Sequence, residues 1–123
     1  MKILVFGAGV LGCNLANDLF RAGKETTLLA RGQWAEELQK NGLRIKNKFS
    51  PRVRVSRIPV VTQLAPEDRY DVIFAVVRYT QLESMIEILR ANATKNIVFV
   101  GNDVRAAEVA ALLPEKNVMF AFV

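Results

Sequence analysis

Histidine is absent from all 123 residues, and cysteine occurs once, at Cys13. The first absence removes the commonest general base and metal ligand. The second excludes an internal disulfide and a cysteine-based metal cluster, so no metal site is expected. With no histidine to activate it, Cys13 reads as a small core or interface residue rather than a nucleophile. No stretch reaches the roughly 18 apolar residues of a membrane span. The opening run Ile3-Leu4-Val5-Phe6 could begin a signal peptide, but it breaks at Gly7. Asn14 and Asp18 then stand where continued apolarity or a cleavage region would be needed, so a cytoplasmic protein without a membrane segment is expected.

Acids are missing from one long segment. Between Lys40 and Arg57 the chain carries Arg44, Lys46, Lys48, Arg52 and Arg54 and neither Asp nor Glu, within a net charge of +5. Such a cluster could attract nucleic acid. However, Leu43, Ile45, Phe49, Val53 and Val55 alternate with the basic residues at period two, the pattern of strands with one solvated face. Aromatic interleaving of the kind single-strand binders use is lacking as well. A hairpin turning near Ser50-Pro51 is therefore expected, and a nucleic-acid partner is not.

What is present is concentrated at the start. Met1 to Ala22 joins a β-branched apolar run to Gly7-Ala8-Gly9-Val10-Leu11-Gly12, a G-x-G-x-x-G sequence. Behind it Leu11, Leu15 and Leu19, with Ala16 and Phe20, recur at helical spacing. Between a strand and a helix, this motif has a defined use. The first glycine allows a tight turn, the second lets the backbone approach a pyrophosphate, and the third lets helix and strand pack closely. The helix N-terminus then offers N–H groups and the positive end of its dipole to phosphate.

Downstream, strands and helices alternate. Thr26–Ala30 reads as a second strand, and Gln33–Lys40 as a short helix with Trp34 and Leu38 on one face. Val60-Val61 reads as an irregular or edge segment, and Tyr70–Val77 as a buried strand. Thr80 and Glu83 form a capping box before Leu82, Met85, Ile86 and Leu89. Asn96–Val100 and Val118–Phe122 read as strands flanking a helix with Ala106, Val109, Ala110 and Leu113. This order predicts one α/β domain over residues 1–123. It is Rossmann-type and doubly wound, with a mainly parallel sheet of about six strands and helices on both faces. Such sheets bind ligands at the carboxyl ends of their strands, which collects Gly7–Gly12, Arg31, Arg78 and Asn102 along one edge.

The tip of the second strand selects the nucleotide. An NAD site usually places Asp or Glu there for the ribose hydroxyls, whereas this tip reads Ala30-Arg31-Gly32. Glu25 is at the wrong end of the strand and Asp18 is on the helix. A guanidinium pairs bidentately with phosphate, so Arg31 predicts NADP(H).

The runs KILVFGAGVLG, LLARG, NGLRIKN and DVIFAVVRYTQ together resemble the N-terminal half of ketopantoate reductases (2-dehydropantoate 2-reductases). The resemblance implies NADPH-dependent reduction of a 2-keto acid on the route to pantothenate. It implies that Gly7, Ala8, Gly9, Val10, Leu11 and Gly12 cradle the pyrophosphate and that Arg31 holds the 2′-phosphate. Arg78 stands where the family usually has lysine near the nicotinamide side. Asn102 stands where the family has an asparagine that touches cofactor and substrate, followed here by Asp103 instead of glycine. The family's catalytic lysine and substrate-binding residues lie in a second, helical domain. No catalytic residue is therefore assigned within this chain, and Lys2, Lys24, Lys95 and Lys116 read as strand-end or surface residues. Self-association of such an isolated domain through apolar surface is a further expectation. A free-standing nucleotide-sensing module without catalysis is the alternative, and the arginine tip favours the reductase-like reading over it.

Overall fold

The computed structural model of the chain describes residues 1–46, 53–76, 82–100 and 106–121. Its six-stranded sheet is parallel throughout. The strands are β1 (Lys2–Phe6), β2 (Glu25–Leu29), β5 (Val60–Val61), β6 (Val72–Val76), β7 (Asn96–Val100) and β8 (Asn117–Ala121). A separate antiparallel pair joins β3 (Leu43–Lys46) to β4 (Val53–Ser56). The helices are α1 (Val10–Arg21), α2 (Gly32–Asn41), α3 (Leu82–Ala91) and α4 (Ala106–Leu112).

Strand order in the large sheet is β5-β2-β1-β6-β7-β8. The chain starts at the centre, moves outward to β5 on one side, and returns to β6 beside β1 before moving outward the other way. The reversal between β1 and β6 leaves a crevice at their carboxyl ends, because the connections leaving these neighbours diverge.

Period-two alternation sends β1 side chains to two separate cores. Leu4 and Phe6 pack with Ile73, Ala75, Ile97 and Phe99 against Met85, Ile86 and Leu89 of α3 and Val109 and Leu113 at α4. Val5 faces the opposite side with Leu28, against Cys13 and Ala16 of α1 and Ala35 and Leu38 of α2. The doubly wound sheet expected from the sequence is therefore present, with helices on both faces.

Three local expectations need correction. In α1 the buried residues are Gly12, Cys13, Ala16 and Asn17, whereas Leu11 is exposed and Leu15 and Leu19 only half-buried. The apolar stripe is rotated by about one residue because Gly12 must face the strand. In α2, Ala35 and Leu38 are buried, but Trp34 is 43% exposed and belongs to neither core. In α4 Val109 is buried while Ala110 is exposed.

The hairpin forms as expected, with its turn near Ser50-Pro51 outside the described residues, but its register differs from the simple alternation. Leu43 opposes Ser56 and Arg44 opposes Val55, so Val55 is 50% exposed while Leu43 and Ser56 are buried. A shift of one residue moves every side chain of a strand to the other face. Here the inward position of β4 goes to Ser56, whose hydroxyl donates to Asn17 Oδ1 of α1 at 2.6 Å. This buried polar bond fastens the hairpin to the first helix.

The amino ends of the strands are tied by polar contacts distant from the crevice. The Lys116 ammonium donates to the carbonyls of Asn92 and Thr94, the latter at 2.7 Å. Partial burial lowers its pKa. Lys116 thus serves as a strand-end fastening, as its sequence position suggested.

Replacing Ser56 with alanine removes the donor and leaves Asn17 Oδ1 buried without it. Equilibrium urea unfolding should show a loss of about 1–3 kcal/mol, the usual cost of an orphaned buried polar atom. An unchanged midpoint would mean that the hairpin is held by its apolar contacts alone.

Candidate dinucleotide site

A cleft of about 470 Å³ opens at the sheet's topological reversal, within the usual size range of small-molecule sites. Its floor is the end of β1 (Phe6), the loop Gly7-Ala8-Gly9 and the first residues of α1, Val10 and Leu11. Leu29, Ala30, Arg31 and Trp34 form one side, while Val76, Ser84 and Met85 form the other.

The three glycines have different physical reasons for being there. Gly7 has φ +123°, and a Cβ on it would stand 2.3 Å from the Val76 carbonyl oxygen of β6. A Cβ on Gly12 would stand 1.8 Å from the Gly7 carbonyl oxygen. Both positions are closed to any other side chain by the fold itself. Gly9 is unlike them: its φ is −76°, open to any residue, and a Cβ there would meet no atom of the described residues within 4 Å. Gly9 lines the cleft, so packing among the described residues gives no reason for a glycine at position 9.

Gly9 is also the N-cap of α1, with no side-chain cap bond and no acid in the first turn. The first intrahelical bond runs from the Cys13 N–H to the Gly9 carbonyl at 2.9 Å. The N–H groups of Val10, Leu11 and Gly12 precede that ladder and lie at the positive end of the helix dipole. An uncapped, acid-free N-terminus beside a cleft suits an anion.

Arg31 follows the carboxyl end of β2 and is the exposed N-cap residue of α2. The segment from Leu28 to Trp34 carries no acid, and Glu25 is at the far end of β2, paired in register with Lys2. The cleft therefore holds a guanidinium at the place where a ribose-binding carboxylate would otherwise stand.

Sequence reasoning missed Trp34. Its indole Nε1–H donates to the Ala8 carbonyl at 2.8 Å, across from α2 to the glycine loop. The Cys13 thiol approaches the same carbonyl at 3.4 Å. Burial pushes the Cys13 thiol above its ordinary pKa, and the neighbouring Trp34 N–H only partly offsets this. Cys13 is accordingly a protonated, buried thiol at neutral pH. A signal for Trp34 existed in its spacing, one helical turn after Arg31, but an aromatic at helical spacing from Leu38 reads first as core.

Of the expected site residues, Gly7, Ala8, Gly9, Val10, Leu11 and Arg31 line the cleft together, and Gly12 packs beneath the loop. Arg78 and Asn102 lie outside the described residues. By sequence they follow the ends of β6 and β7, which are adjacent in the sheet. Among the described residues no group of three or more His, Cys, Asp or Glu is placed to hold a metal ion. No described helix is long and apolar enough to cross a membrane.

The profile of the ketopantoate reductase PanE/ApbA family matches residues 3–123. The chain belongs to that family. An uncharacterized oxidoreductase of Bacillus subtilis (strain 168), YkpB, is 33% identical over 87 residues, covering 71% of this chain and 28% of the relative. A 2-dehydropantoate 2-reductase of Mesorhizobium japonicum is 48% identical over 46 residues, 37% of this chain and 14% of that protein. Among solved structures, D-mandelate dehydrogenase in a ternary complex with NADH and anilino(oxo)acetate superposes with a TM-score of 0.84 at 23% identity. That superposition covers 99% of this chain and 40% of the dehydrogenase. At this identity the superposition speaks for the fold. The chain thus spans less than half the length of the relatives it matches, and its residues form a nucleotide-binding domain of the kind found in family members.

The glycines give a paired prediction. Gly9→Ala should leave the stability of the free chain within about 1 kcal/mol, the scale of N-cap preferences. It should weaken nucleotide binding by about tenfold or more, since each lost charge-assisted contact is worth about 1.5–3 kcal/mol. Gly12→Ala should instead lower the free chain's stability by about 1–3 kcal/mol or more through overpacking. Thermal melts and calorimetric titration separate the two, and equal melting losses would refute the distinction. Alkylation offers an independent check on Cys13. At neutral pH iodoacetamide should modify it far more slowly in the native chain than in urea, as followed by intact mass.

Proposed function

We propose that this chain is the NADP(H)-binding domain of a ketopantoate-reductase-like oxidoreductase. The glycine loop and the N-terminus of α1 would receive the diphosphate, and Arg31 the adenosine 2′-phosphate. Arg78 and Asn102, which follow the neighbouring strands β6 and β7, would stand on the nicotinamide side. When bound, the nicotinamide supplies a hydride to the carbonyl carbon of a 2-keto acid such as 2-dehydropantoate. The residues that bind and protonate that acid belong, in this reading, to a further helical domain outside these 123 residues.

The observation that carries the proposal is Gly9: an unstrained position, left open by the packing of the described residues, at the floor of a cleft beside an acid-free helix N-terminus. Preference for the phosphorylated cofactor rests on Arg31. The superposed D-mandelate dehydrogenase is in complex with NADH, so the shared fold does not itself select the phosphate. The side chain at the end of β2 supports the phosphorylated cofactor. A guanidinium gains a charge-assisted bond to a 2′-phosphate and has no comparable partner in two ribose hydroxyls.

At equal concentration, NADPH should raise the melting temperature of the chain more than NADH does. The underlying affinity difference should be at least about tenfold for one charge-assisted phosphate contact. Arg31→Ala should abolish that difference while retaining the NADH-induced shift. Equal shifts from both nucleotides in the unmodified chain would remove the preference for NADP(H), and no shift from either would remove the nucleotide reading altogether.

A further inference from the structure

The Ala8 carbonyl lies in the middle of the glycine loop, yet its acceptor capacity is turned toward Trp34 and Cys13. A trans peptide is planar, with its C=O and N–H pointing in opposite directions, and no cis peptide occurs among the described residues. Whatever holds the Ala8 oxygen therefore also sets the direction of the Gly9 N–H. The strong donor is the Trp34 indole at 2.8 Å, since a thiol at 3.4 Å is a weak one. Trp34 stands in the first turn of α2, three residues after Arg31, the N-cap of the same helix. It is 43% exposed and outside both buried clusters, so filling a core does not account for it.

We propose that Trp34 is a positioning residue for the diphosphate loop. Its indole N–H fixes the Ala8–Gly9 peptide and ties the loop to the helix that carries the 2′-phosphate cation. This rests on the nucleotide reading above and adds to it a specific device: the two phosphate subsites are joined by one hydrogen bond. The bond acts on the diphosphate half of the ligand, which NADH and NADPH share. It should therefore set affinity for both, whereas Arg31 sets the choice between them.

Trp34 is the only tryptophan in the chain, so its emission reports on this contact without labelling. Two fragments separate the subsites: ADP-ribose has the diphosphate and no 2′-phosphate, and adenosine 2′-monophosphate has the 2′-phosphate and no diphosphate. ADP-ribose should shift Trp34 emission saturably, at the concentrations at which calorimetry detects binding. Adenosine 2′-monophosphate should bind without that shift. Trp34→Phe keeps an aromatic ring and deletes the donor. It should weaken ADP-ribose about fivefold, the effect of one neutral hydrogen bond, and leave adenosine 2′-monophosphate within about twofold.

Equal emission shifts from both fragments would overturn the proposal, because the ring would then be a wall for the adenosine they share. Equal weakening of both fragments in Trp34→Phe would overturn it too, as would ADP-ribose binding that alters neither the emission nor the variant's affinity. If neither fragment nor NADPH gives a calorimetric signal, the nucleotide reading itself fails and takes this assignment with it. The fluorescence arm uses the unmodified chain, so it decides the matter even if the variant folds poorly.

Discussion

Two backbone approaches at the start of the chain constrain everything around the cleft. The first residue after β1 passes so close to the Val76 carbonyl of β6 that only a glycine fits, and the first turn of α1 sits on the Gly7 carbonyl in the same way. Together they fix the helix N-terminus directly over the junction of β1 and β6. That junction is where the strand order reverses and where the connections leaving the sheet diverge. A larger side chain at either position would lift the helix off the strand, and the end of its dipole would no longer point into the crevice. The site is thus a consequence of close packing first and of polar chemistry second.

On that frame the chemistry is sparse. Among the described residues the cleft lining offers backbone N–H groups, one guanidinium, one indole N–H and one hydroxyl, and it includes no carboxylate, histidine or lysine. Such donor groups suit phosphate. The buried Cys13 belongs to the packing of the loop, where burial holds its thiol protonated.

The elements that matched their sequence expectation share a property: each is decided by neighbours a few residues away. The apolar run before Gly7, the β2 tip at Arg31, the edge segment Val60-Val61 and the apolar stripe of α3 are of this kind. The mismatches arise where a distant partner decides. Leu11, Leu15 and Leu19 form a regular stripe, but the close approach of Gly12 to Gly7 rotates α1 and buries Cys13, Ala16 and Asn17 instead. In β4, the valines alternate as an inward face should, yet the bond from Ser56 to Asn17 accompanies a register that turns Val55 outward. Trp34 resembles a core residue by spacing and is a polar tether by position.

What the sequence by itself determined is the order of strands and helices, the glycine loop between the first strand and helix, and the arginine at the next strand tip. Periodicity and backbone freedom are local properties, and they are readable wherever they occur. Only the tertiary structure decided which glycines the fold requires and which it leaves open. Gly7, Gly9 and Gly12 are identical as letters, and they differ only in what a Cβ would meet. It also decided that an indole from the second helix holds the loop of the first, because a contact between residues 26 positions apart depends on how α2 lies against that loop. Spacing along the chain carries no record of that packing.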